Sequence, residues 1–129
     1  MPDALRPAKI IARHVSAAAK IEVAHGSDWN DGLQVRECGA DMDLTDSVIE
    51  IMVRPTFDDP ILLAWLSSAT GDILFDDAAH GKFGIFWPGW KVSTIPAGAW
   101  VFAMRVLKGG EAREIARGPF IVYAAEYLG

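Results

Sequence analysis

Short apolar runs with a period of two, each closed within a few residues by Gly, Pro, Asp or Asn, recur through most of this 129-residue chain. In residues 48–54, Ile49, Ile51 and Val53 fall on one side and Glu50 and Arg54 on the other, and Pro55 ends the run. That alternation is the pattern of a strand with one buried face. Further strands are expected at 61–67, 73–75, 83–87, 100–107, 114–117 and 120–125, with weaker alternation at 19–24 and 33–37. Lys108-Gly109-Gly110-Glu111 has the makings of a hairpin turn, since Gly takes positive φ without steric cost. Gly118-Pro119 reads as a bulge or edge kink.

Helix competes in two windows. Residues 4–20 are rich in Ala, Lys and Arg, but Pro7 and the adjacent Ile10 and Ile11 break a 3.6-residue stripe. Residues 61–68 are too few, confined between Pro60 and Gly71. Many short runs at roughly 8–12-residue spacing instead predict an antiparallel sandwich or small barrel, with one helical turn near 91–94. Ile49, Ile51, Val53, Leu62, Leu66, Val101, Ala103, Phe120 and Val122 are the expected core. Strand 100–107 is apolar on both faces, so its inward side is open: it is either a central strand covered twice or a partner surface.

Composition narrows the class. A hydrophobic fraction of 51% with 22% charged residues is that of a globular chain. No apolar run nears the roughly 18 residues of a membrane span. Twelve Lys and Arg against 17 Asp and Glu leave a net charge of −5, which argues against nucleic acid as a partner. Charges at Asp3, Arg6, Lys9 and Arg13 interrupt any leader-like apolar segment, so folding in the cytoplasm is expected. A lone Cys38 suits that compartment and reads as a small buried residue.

No catalytic or metal constellation emerges, and no cofactor is implied. Asp41, Asp43 and Asp46 lack the glycine bend and terminal Glu of a calcium loop and read as turn residues, as do Asp58, Asp59, Asp72, Asp76 and Asp77. His14, His25 and His80 lie apart, without zinc-ligand spacing. His80 is expected as an exposed turn residue within reach of Asp76 or Asp77. Neither a nucleophile elbow nor a phosphate-binding glycine loop is present.

Five Trp in so short a chain is the least ordinary feature, and Phe83, Phe86, Trp87 and Trp90 share one eight-residue window. Strand alternation requires Phe86 or Trp87 to face inward, while Trp90, after Pro88-Gly89, is open to either role. The candidate interaction residues are Trp87, Trp90 and Trp29, with Ile10 and Ile11 of the N-terminal segment.

Four segments then appear in a recognisable order: Asp43-Leu44-Thr45-Asp46-Ser47-Val48-Ile49-Glu50-Ile51-Met52-Val53-Arg54, Pro60 through Ile73, Ile95-Pro96-Ala97-Gly98-Ala99-Trp100-Val101-Phe102, and Gly118-Pro119-Phe120-Ile121-Val122. This order resembles the small immunoglobulin-like structural proteins of tailed phages and prophages, and is similar to the N-terminal domain of upper-baseplate proteins. The resemblance spans about Trp29 to Glu126, with Trp100 where that family usually has Tyr and Ala103 where it often has Asp. It implies an all-β, antiparallel immunoglobulin-like sandwich of about seven strands. It also implies a corner at 96–100, where an aromatic side chain bonds to backbone. A Trp indole donates such a bond but cannot accept one.

Two functions follow as expectations. The first is a non-enzymatic structural component of a phage particle, in baseplate, tail or head-tail region. It would fold in the host cytoplasm, join the virion and act on other virion proteins. The second is a small sandwich module binding carbohydrate through exposed Trp. Residues 1–20 are expected as an N-terminal arm or first strand ahead of a domain at 21–129. With Arg6, Lys9, Arg13 and Lys20 against Asp3, the arm is locally positive. It is expected to dock on its own sheet or on a neighbour's, within a closed homo-oligomer.

Overall fold

The alternation becomes two packed β-sheets in the computed structural model, which describes residues 7–12, 17–37 and 39–124. The strands are β1 (Pro7–Ala12), β2 (Ala17–Ala18), β3 (Ile21–Ala24), β4 (Trp29–Glu37), β5 (Ala40–Asp41), β6 (Val48–Arg54), β7 (Ala64–Ser67), β8 (Ile73–Asp77), β9 (Lys82–Trp87), β10 (Gly98–Lys108) and β11 (Glu111–Tyr123). One sheet is ordered β1-β4-β9-β8, with β5 on β4; the other is ordered β2-β11-β10-β6-β7, with β3 also on β11. A single α-helical turn, α1 (Gly89–Val92), joins β9 to β10. β5 lies beyond the expected strands, and β1 and β2 fall within residues 1–20, expected as an arm or first strand. Pairing is antiparallel except at the N-terminal segment, where β1 runs parallel to β4, and β2 and β3 run parallel to β11.

The core lies between the sheets. Leu33 and Val35 of β4, and Phe83 and Ile85 of β9, meet Ile49, Ile51 and Val53 of β6, Phe102 and Met104 of β10, and Phe120 and Val122 of β11; all are buried. Each such side chain contributes on the order of 1.5–3 kcal/mol by leaving water. Leu44, Val92 and Ile95, also buried, come from the connections. The β10–β11 hairpin closes at Gly109 (φ 60°) and Gly110 (φ 82°), two consecutive positive values of the kind a two-residue hairpin turn demands.

Of the nine expected core residues, Ile49, Ile51, Val53, Leu66, Phe120 and Val122 are buried. Leu62 is exposed, because β7 begins only at Ala64. Val101 and Ala103 are half-buried on the outer face, and Phe102, Met104 and Val106 point inward instead. Pairing decides this: Phe102 is registered to Val53, Met104 to Ile51 and Val106 to Ile49, and paired residues share a face.

β11 runs unbroken through Gly118-Pro119, where a break or kink was expected. The irregularity sits one turn of alternation earlier: Met104 pairs with Ala116 and Arg105 with Glu114, so Ile115 is the extra residue of a bulge. Ile115 and Ala116 are consequently both buried, although adjacent. Gly118 admits the neighbouring backbone, since a Cβ there would stand 1.6 Å from the Ala19 carbonyl oxygen. Pro119 falls between the residues registered to β2 and those registered to β3, where a missing N–H leaves neither ladder short.

Candidate interaction surfaces

Trp90 stands out by exposure: it is 72% accessible on a one-turn helix whose other residues are firmly seated. Pro88, with φ −69°, sets the chain for α1, and its carbonyl accepts from the Lys91 and Val92 N–H groups. Gly89 is buried and donates its N–H to Asp28 Oδ1 at 2.6 Å. A Cβ on Gly89 would come 2.3 Å from the Gly26 carbonyl oxygen, so only glycine lets the helix sit against that loop. Val92 and Ile95 anchor the turn in the core. Lys91 Nζ reaches Asp72 Oδ1 at 3.2 Å and lies 5.4 Å from the Trp90 ring centroid. His25 Nε2 lies 3.2 Å from the Ser93 carbonyl oxygen, tying the 25–28 loop to the same turn. The indole is thus held outward by a fixed backbone, at little further entropic cost to a binding event.

The other candidate Trp residues are placed differently. Trp29 and Trp87 are core residues, 4% and 6% exposed, so neither ring is offered to a partner. They are registered across β4 and β9 and meet edge-on, with centroids 6.3 Å apart. Trp29 also meets Phe120 of the opposite sheet at 5.4 Å, and its indole donates to Asp31 Oδ2. In β9, inward Phe83, Ile85 and Trp87 leave Phe86 on the outside. Ile10 and Ile11 take register positions in β1 opposite Val35 and Arg36, and their side chains lie outside the described residues, as does Cys38.

Several exposed apolar side chains escaped sequence reasoning. On the outer face of the β1-β4-β9-β8 sheet, Leu74 and Phe86 flank Gly84, over which the Phe86 ring lies. On the other sheet, Trp65 projects from edge strand β7 and donates to Glu50 Oε2 at 3.2 Å, while Phe57, Ile61 and Leu62 crowd the loop before it. Trp65 was legible as outward once Ala64 and Leu66 were read as inward neighbours. The loop residues carry no periodic signal.

The titratable groups form no reactive cluster among the described residues. His80 is exposed, with Nδ1 2.8 Å from Asp77 Oδ2. Glu22 accepts from the Tyr123 hydroxyl, which holds its carboxyl below the usual range, Lys20 adding to the effect. Asp43 is likewise lowered, chiefly by hydrogen bonds from Thr45. At the hairpin end, Arg113 of β11 pairs with Glu37 of β4 and bridges the sheets.

No family model and no curated protein sequence matches the chain. Solved structures do. The N-terminal domain of phage TP901-1 ORF48 superposes on it with a TM-score of 0.53, covering 91% of this chain and 98% of that domain at 13% identity. The chain shares the fold of that domain. An uncharacterized protein from Bacillus anthracis str. Ames matches with a TM-score of 0.37 at 10% identity, over 83% of this chain and 85% of that one, too distant to bear on the fold.

Proposed function

We propose that this chain is a non-enzymatic structural component of a phage or prophage particle, in its baseplate, tail or head-tail region. On this reading it acts through protein–protein interfaces, is made in the host cytoplasm and ends in the virion. The observation that carries the reading is the match to nearly the whole N-terminal domain of phage TP901-1 ORF48, in agreement with the order of motifs along the sequence. Trp90 supplies the surface. An exposed indole on a backbone fixed by Asp28, Asp72 and two core residues is the arrangement of a binding hot spot. The repeated copies expected in a particle also favour a homo-oligomer, with the N-terminal segment as one contact.

The test is incorporation. Particles purified from a host that carries the gene should contain the chain by mass spectrometry. A Trp90→Ala chain, with its melting temperature unchanged, should enter them about thirtyfold less well, the loss expected of a hot spot worth about 2 kcal/mol. Absence of the chain from the particles, or undiminished entry of the variant, would overturn the reading.

A further inference from the structure

The outer face of the β6-β10-β11 sheet carries a cavity of about 300 Å³ that the function above leaves unused. Its centre is Ala103. That residue is registered to Met52 on β6 and to Arg117 on β11, both larger, so the methyl group forms the floor of a pit. Phe57 stands over the Arg117 guanidinium, 4.4 Å from it, and walls one side. Arg54 and Arg105 lie to either side of Met52 along the strands: Arg54 is opposite Val101, and Arg105 is opposite Glu50.

The three guanidinium groups around the pit are unequally partnered. Arg117 is held in a two-bonded fork by Glu114, at 2.9 and 3.0 Å, and nearby Asp58 compensates it further. Arg105 is held through Nε by Glu50 at 2.6 Å. The Arg54 side chain makes no hydrogen bond or ion pair with any other described residue. One half-buried guanidinium is therefore left over beside an apolar floor and an aromatic wall. A guanidinium prefers a planar, two-oxygen acceptor, and carboxylate is the protein group of that shape. The chain's net charge of −5 disfavours a polyanion, so a single carboxylate fits better than a phosphate backbone.

We infer that this pit receives an aspartate or glutamate side chain of a partner protein, together with an adjoining apolar side chain that lies on Met52 and Ala103. The assignment rests on the reading of the chain as an interface protein and adds the chemistry of one partner. It uses a surface separate from Trp90.

The experiment is a fragment titration of the full chain, followed by amide chemical shifts, with 4-phenylbutyrate as the probe and neutral 4-phenylbutanamide as its control. The acid should move the amides of Met52, Arg54, Ala103, Arg105 and Arg117. The neutral control should bind about tenfold more weakly, as should the acid to Arg54→Gln, the loss of one charge-assisted bond. Ala103→Leu, which fills the pit from the solvent side, should abolish the shifts while keeping a folded spectrum. Equal binding of acid and amide, or shifts confined to other surfaces, would overturn the assignment, as would no shift up to about 10 mM. Self-association of the chain that disappears in Arg54→Gln would transfer the pit to a second copy and equally overturn it. The titration needs no particle, so its failure is separable from failure of the incorporation test.

Discussion

The indole N–H of Trp100 donates to the carbonyl oxygen of Pro96 at 2.8 Å, closing the corner that leads into β10. The ring lies against Gly98, where a Cβ would be 3.0 Å from it and where φ is 153°, a backbone state that L side chains rarely adopt. The aromatic corner implied by the phage resemblance is therefore made with a donor-only side chain, which suffices because the backbone partner is an acceptor. Trp100→Phe keeps an aromatic side chain but removes the N–H and the pyrrole half of the indole. It should lower unfolding free energy by about 1 kcal/mol in urea titrations, with an unchanged slope.

The inward face of β10 is testable by a pair of adjacent substitutions. Phe102→Ala empties a buried position and should destabilise by about 3–5 kcal/mol. Ala103→Leu adds bulk on the outer face and should stay within about 0.5 kcal/mol of the parent chain in the same measurement. The reverse ranking would restore the register expected from sequence alone.

Asp46 is the one described non-glycine residue with positive φ, 60°, in the exposed turn before β6. Asp tolerates that region through local hydrogen bonding, and a β-branched side chain does not. Asp46→Val should lower stability by about 1–2 kcal/mol, and Asp46→Gly should leave it within about 0.5 kcal/mol. Thermal melts of the two variants decide the matter, since neither change alters buried surface.

The pair of Tyr123 and Glu22 predicts a pH signature. Accepted by the Glu22 carboxylate, the phenol titrates above its ordinary value of 10.0, with the loss of hydration and the nearby negative charge acting in the same direction. A raised folded pKa contributes stability that is complete below 10.0 and is lost as pH rises through the folded value. Glu22, lowered by Tyr123 and by Lys20, contributes in the opposite window: its share is present above the ordinary carboxyl range and is lost as pH falls through the folded value. In a Tyr127→Phe background, ultraviolet titration should place the Tyr123 midpoint above 10.0, and adding Glu22→Gln should bring it back down.

Much of the molecule was legible in residue order because period-two alternation and turn chemistry are local. Ile49, Ile51 and Val53 declare their face by their neighbours, and Gly109-Gly110 declares a hairpin by the φ values that only glycine takes cheaply. What stayed hidden depends on residues far apart in the chain. β10 is apolar on both faces, so only its register with β6 chose Phe102 over Val101 and Ala103 for the core. Alternation required Phe86 or Trp87 to face inward without choosing between them, and Trp29 carried no sign of burial beyond its type; the β4–β9 pairing and Phe120 of the opposite sheet decided both. Pro119 looked like a break until the gap between β2 and β3 gave its missing N–H a harmless place. Local pattern sets which segments become strands and where they turn. Where both faces of a strand are apolar, pairing between strands sets which one meets water, and that is why the pit at Ala103 became visible only in three dimensions, whereas Trp90 was already a candidate by its place after Pro88-Gly89.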